Sequence, residues 1–169
     1  MKYYSSIFVL FILSLNLSFS QKYGYVNLGN VVASLPQTKA ADTQIKTFTN
    51  QLVKQGEGMA QKLQSDYQAA IEKVQRGDIS PIQQQELERA LQTQQGEIAR
   101  FEQEIQKKVA KKREELLAPI LDKVKNVIES IGKEEGYIMI FDSSVFNAVL
   151  YGGEQEDLTK KVLAALGVN

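Results

Sequence analysis

The sequence predicts an α+β protein in which a long antiparallel helical hairpin, a coiled-coil arm, projects from a small β-rich body. Three stretches carry that expectation. Tyr23 to Leu28 (YGYVNL) is short, aromatic and β-branched, as strands are. From about Lys39 to Ile131 the chain is rich in Gln, Glu, Lys, Leu and Ala, the composition of long helices. Tyr137 to Tyr151 (YIMIFDSSVFNAVLY) returns to strand character, giving three strands in all. DLTKKVLAALG then reads as a short helix capped by Asp157 and ended near Gly167. The body is therefore expected from residues 21–38 and 132–169, and the arm from 39–131 with its tip at 77–80.

Residues 1–20 stand apart from this fold. Lys2 supplies a charged start, Ile7 to Leu17 form an apolar run, and Ser18-Phe19-Ser20 places small residues where a signal peptidase cuts. The run of about 11 residues is too short for a membrane span, which needs ~20. A cleaved signal peptide is expected, with the exported chain starting at Gln21 and no cysteine to accept a lipid.

Composition excludes several kinds of chemistry. The chain has no Cys and no His, so it offers neither a disulfide framework nor the commonest metal ligands and general base. No Gly-rich phosphate loop or nucleophile elbow is present. Asp142, Ser143, Ser144 and Lys133 form no recognised catalytic set. No cofactor, no metal and no enzymatic activity are expected. Twenty basic residues balance twenty acidic ones, so no overall field draws the chain to nucleic acid.

The helical zone shows steps of three and four. Its first half runs Ala41, Ile45, Phe48, Leu52, Met59, Leu63, Tyr67, Ile71, Val74, with Gln55, Gly56 and Gly58 weakening the middle. The second half runs from Leu87 and Leu91 through Ile98, Phe101 and Ile105 to Val124, Val127 and Ile131, with Gln94 a polar interruption. Helices over Lys39–Arg76 and Pro81–Ile131 would be ~57 Å and ~76 Å long at 1.5 Å per residue, too long to bury themselves singly. They are expected to pair as a hairpin, with a kink at Pro119 where the arm meets the body.

Between them stands Arg76-Gly77-Asp78-Ile79-Ser80-Pro81. Gly77 suits a left-handed helix end, Ser80 an N-cap, Pro81 the first helical position and Gln83 a capping box. The arm tip is therefore Gly77, Asp78, Ser80 and Pro81, and the Arg-Gly-Asp triplet is explained by the turn rather than by adhesion.

Order and spacing together resemble the OmpH/Skp family of periplasmic chaperones. The resemblance rests on GYVNLGNVVASLPQTKAA, two long helices, KREELLAPILDKVKNVIESIGKEEGYIMIFDSS and the closing DLTKKVLAAL, covering Tyr23 to Leu166. It implies a homotrimer whose strands build one body, here through Tyr25, Val26, Leu28, Ile138, Ile140, Phe141, Val149 and Tyr151. It also implies an ATP-independent periplasmic holdase that keeps unfolded outer-membrane proteins from aggregating on their way to the outer membrane. Met59, Leu63, Tyr67, Ile71 and Val74 are the candidate client contacts, although their spacing suits the seam between the helices still better. Gly56 and Gly58 could act as a hinge that lets the arm splay.

One departure matters. The family's best-known members are strongly basic, whereas Lys39 to Glu129 holds 15 basic and 14 acidic residues, a net of +1. No lipopolysaccharide site is carried over. The basic run Lys107 to Arg113 leaves room for weak contact with an anionic membrane surface, against the commoner reading of a solvated helix face. The competing function is a structural coiled-coil envelope protein without chaperone activity.

Overall fold

The structure, a computed structural model, describes residues 21–168, so the expected signal peptide lies outside the described residues. In chain order the elements are β1 (Lys22–Val26), α1 (Leu28–Ser34), α2 (Pro36–Arg76), α3 (Pro81–Glu134), β2 (Tyr137–Asp142) and α4 (Thr159–Ala165), with a 3-10 turn at Glu154–Glu156 before α4. They group into two compact units, one of residues 21–34 with 123–168 and one of Leu35–Asp122.

In the first unit β1 and β2 pair in parallel, from Tyr23 against Met139 to Val26 against Asp142. Parallel neighbours cannot be joined by a tight turn, and the chain from α1 to α3 supplies the connection. β1 is also bonded on its other side, where the Leu158 amide donates to the Tyr25 carbonyl at 2.8 Å. Gly24 is required by close approach: a Cβ there would lie 2.9 Å from the Tyr137 ring and 3.0 Å from Leu158. Val26, Val31, Val124, Ile131, Leu158 and Val162 form the buried core of this unit. Glu135 ties its polar edge, accepting from Lys161 at 2.6 Å and from Lys22 at 3.3 Å. Those two ammonium groups, Lys161 foremost, hold its carboxyl below the ordinary value.

Three expectations about this unit need correction. Leu28 is not in a strand, because Asn27 ends β1 by capping α1: its side-chain oxygen accepts from the Asn30 amide at 2.8 Å. Val149 and Tyr151 are not in a strand either. β2 stops at Asp142, whose Oδ1 accepts from the Ser144 amide and hydroxyl at 2.8 and 2.7 Å and from the Leu28 amide at 3.2 Å. Partial burial works against that charge, but these bonds outweigh it and keep the carboxyl below its ordinary value. The chain then turns, with Asn147 at a positive φ of 63°, so the described residues contain two strands, not three. Asp157 bonds the Thr159 amide at 2.9 Å, but Leu158 occupies the N-cap position of α4.

In the second unit α2 begins at Pro36, three residues before the expected start, because Pro36 suits the first helical position and Leu35 before it is extended. Gly77 closes α2 at φ 71°, with its own amide bonded to the Val74 carbonyl and the Asp78 amide bonded to the Lys73 carbonyl, both at 3.1 Å. Ser80 and Gln83 then form a reciprocal capping box: the Ser80 amide donates to Gln83 Oε1 at 2.8 Å, and the Gln83 amide donates to Ser80 Oγ at 3.3 Å. Arg76 turns back to Glu72 at 3.3 Å. α3 continues through Pro119 and past Ile131 to Glu134.

Candidate binding groove beside the helix turn

Contacts across the hairpin establish that α2 and α3 run antiparallel. Gly56 faces Phe101, Asp66 meets Gln94, and Ala70 and Leu91 are both buried nearer the turn. On α2 the packed line therefore runs Leu52, Gly56, Met59, Leu63, Asp66, Ala70, in steps of four and three. Phe101 is buried, and a Cβ on Gly56 would lie 3.6 Å from its ring, ordinary contact. The ring would therefore tolerate a methyl group at 56, and the helix is unbroken there.

The next layer is polar. Gln94 Nε2 donates to Asp66 Oδ2 at 2.8 Å, and Lys62 Nζ reaches the same oxygen at 2.6 Å. The Lys62 bond and then the Gln94 bond hold the Asp66 carboxyl below its ordinary value. Gln94 Oε1 is buried without a hydrogen-bond partner, an unfavourable state for a carbonyl.

Beyond that layer, toward the turn, the two helices leave an open groove of about 370 Å³. Tyr67, Ala70, Ile71, Val74, Leu87 and Leu91 line its apolar floor and walls, and Gln75, Gln84 and Glu88 edge it. Ala70 and Leu91 are buried, but Tyr67, Ile71 and Val74 are 53%, 42% and 44% exposed. Five side chains singled out by their spacing thus separate into two groups. Met59 and Leu63 are half-buried on the packed line, while Tyr67, Ile71 and Val74 stand beside it on the groove. Ala70 and Asp66 were not legible as seam residues, since one is small and the other charged; counting 4-3-4-3-4 from Leu52 reaches both.

The remaining candidates lie elsewhere. Val26 is buried, Tyr25 is half-buried with its hydroxyl donating to the Gly153 carbonyl at 3.2 Å, and Ile140 is half-buried near Gly132. Ile138 and Phe141 on β2 are exposed, as is Tyr151, while Val149 and Leu28 are half-buried. Within the basic run, Lys108 pairs with Glu104 at 3.1 Å and Lys111 with Glu115 at 4.0 Å, along one helix surface. No helix of the described residues is long and apolar enough to cross a membrane, and no group of metal-binding side chains occurs among them.

The model of the OmpH-like outer membrane protein family matches residues 22–166. The chain belongs to the OmpH-like family. Among solved structures it is similar to an OmpH-like protein from Caulobacter crescentus CB15, a proposed outer membrane chaperone, with a TM-score of 0.73 at 21% identity. That likeness covers 86% of this chain and 83% of the other and concerns the fold. No curated protein matches the chain. Two long helices and a small two-stranded sheet are thus the OmpH-like arrangement as this chain builds it.

Proposed function

We propose that this OmpH-like protein is an ATP-independent holdase of the periplasm, exported by a cleaved signal peptide and non-enzymatic. It binds unfolded outer-membrane proteins and keeps them from aggregating. The observation that carries the reading is the groove beside the turn, where Tyr67, Ile71 and Val74 remain exposed although their own chain has a helical partner at hand. An open apolar surface with no deep pocket makes many weak contacts and discriminates little among unfolded segments, which is what a holdase needs.

The working form in this reading is a homotrimer. Two strands are too few for a stable isolated sheet. Ile138, Met139 and Phe141 on β2 are exposed, and Phe146 and Tyr151 after it are 90% and 91% exposed, a concentration of apolar surface that association would cover. Near-neutral charge in the helical region gives salt little influence on client capture.

The experiment dilutes a denatured β-barrel outer-membrane protein into buffer with stoichiometric trimer and follows turbidity. Suppression that weakens in the Tyr67→Ser, Ile71→Ser, Val74→Ser variant is the expected result. Turbidity unchanged by the parent protein would leave a structural coiled-coil spacer as the function. Sedimentation at the mass of one chain would remove the trimer.

A further inference from the structure

Tyr67, Ile71 and Val74 have seam spacing, continuing from Leu63, yet they lie outside the seam. The two lines on α2 differ by one residue, a rotation of about 100° around the helix axis. Beyond Leu63, apolar burial alone favours the other rotation, which would place Tyr67, Ile71 and Val74 against α3 in place of a carboxylate and an alanine. Something must oppose it.

The geometry points to Asp66 and Gln94 as positioning residues, whose hydrogen bond holds α2 in the rotation that keeps the Tyr67–Ile71–Val74 stripe on the groove. Among the described residues theirs is the one side-chain hydrogen bond that joins α2 to α3. It sits at the start of the stripe, one residue before Tyr67. Rotating α2 would carry Asp66 off the seam and leave the half-buried Gln94 amide facing aromatic and aliphatic groups, with its donors unmet as well as its already unpartnered Oε1. Lys62 adds to the hold, since its bond to the same Asp66 oxygen keeps the acceptor charged. A buried polar pair that fixes how two helices face each other at some expense of stability is a known use of such groups. Here the consequence would be functional, because the alternative rotation closes the binding surface. The inference rests on the groove being the holding surface.

Because the chain has no cysteine, single introduced thiols report on position without competition. With the full-length exported chain and no client present, Ala70→Cys should react slowly with a maleimide and Ile71→Cys quickly. Gln94→Glu sets a second carboxylate against Asp66 with little change in shape. The ratio of the two rates is then expected to fall by about tenfold, the scale of one hydrogen bond to a charged group. Asp66→Asn keeps an oxygen acceptor for Gln94 Nε2 without its charge, so the ratio should fall less than in Gln94→Glu. If Gln94→Glu fails to fold by circular dichroism, Gln94→Ala serves instead, with the same fall expected. A rate ratio unchanged in the folded variant would overturn the proposal. Turbidity with client is read separately: rates that shift while client retention stays constant would keep the positioning role and remove the groove as the holding surface.

Discussion

Two stretches of the hairpin share one repeat and use it differently. Around Leu52, Gly56 and Phe101, an aromatic ring packs onto a glycine and both Leu52 and Phe101 are buried. Around Tyr67, Ala70 and Leu91, an alanine and a leucine are buried and the larger apolar groups stay at the surface. The Asp66–Gln94 layer separates them. The difference teaches that the side chain α3 offers, and not the size of the residue on α2, decides whether a stretch serves as core or as surface. Small residues at 56 and 70 are used in opposite ways. Gly56 lies beneath the Phe101 ring of α3, whereas Ala70 and Leu91 line the groove together and leave the flanking stripe uncovered.

Breaking the packed stretch should have the largest effect. Phe101→Ala removes a buried ring and leaves a gap over Gly56, and should destabilise the hairpin by about 3–5 kcal/mol in denaturant unfolding followed by circular dichroism. An equal effect from Tyr67→Ala would erase the contrast between the stretches. Next comes the turn. Gly77→Ala places a side chain at φ 71°, costing about 1 kcal/mol, and Ser80→Ala removes half of the capping box at about the same cost. Both should raise hydrogen exchange mainly in the stretch beside the turn. Exchange raised equally around Phe101 would mean that the two stretches open together.

A smaller effect on stability, with a larger one on function, is expected from the stripe itself. Ile71→Ala trims a group that is already 42% exposed, so unfolding should shift by less than about 1 kcal/mol. Turbidity suppression should nevertheless weaken. A variant that loses stability and keeps suppression would place Ile71 in the core.

Much of this was legible in the sequence, and the failures have physical reasons. The two helices, Gly77 and the Ser80–Gln83 box could be read because the residue types at helix ends are set by local hydrogen bonding. The seam was only partly legible. Apolar spacing follows Tyr67, Ile71 and Val74, but the packed line depends on a bond between Asp66 and Gln94, residues 28 positions apart that no local pattern connects. The strand expected over Val149 and Tyr151 failed for a similar reason. Its apolar composition suits a strand, yet Asp142 bonds Ser144 and turns the chain, and among the described residues no neighbouring strand pairs with it. Where composition and a single polar side chain disagreed, the side chain decided the local path.

Acid should separate the two stretches with the smallest effect. Asp66 is ionised and bonded in the folded chain, and its carboxyl lies below the ordinary value of 3.8. A carboxyl that is lowered on folding contributes stability above its unfolded value, and that contribution is lost as pH falls through the lowered folded value. The Gln94 bond should therefore hold at neutral pH and weaken only below about pH 4. Protection factors for amides 67–91, corrected for the intrinsic effect of pH, should fall between pH 5 and pH 3 more than those around Phe101. The contrast should diminish in Asp66→Asn, which cannot ionise but still accepts from Gln94. The carboxylate is partly exposed, at 38%, so solvent screening keeps the difference small. Equal loss of protection in both stretches would show that acid acts on the hairpin as a whole, and Asp66 would then have no special part in holding the groove open.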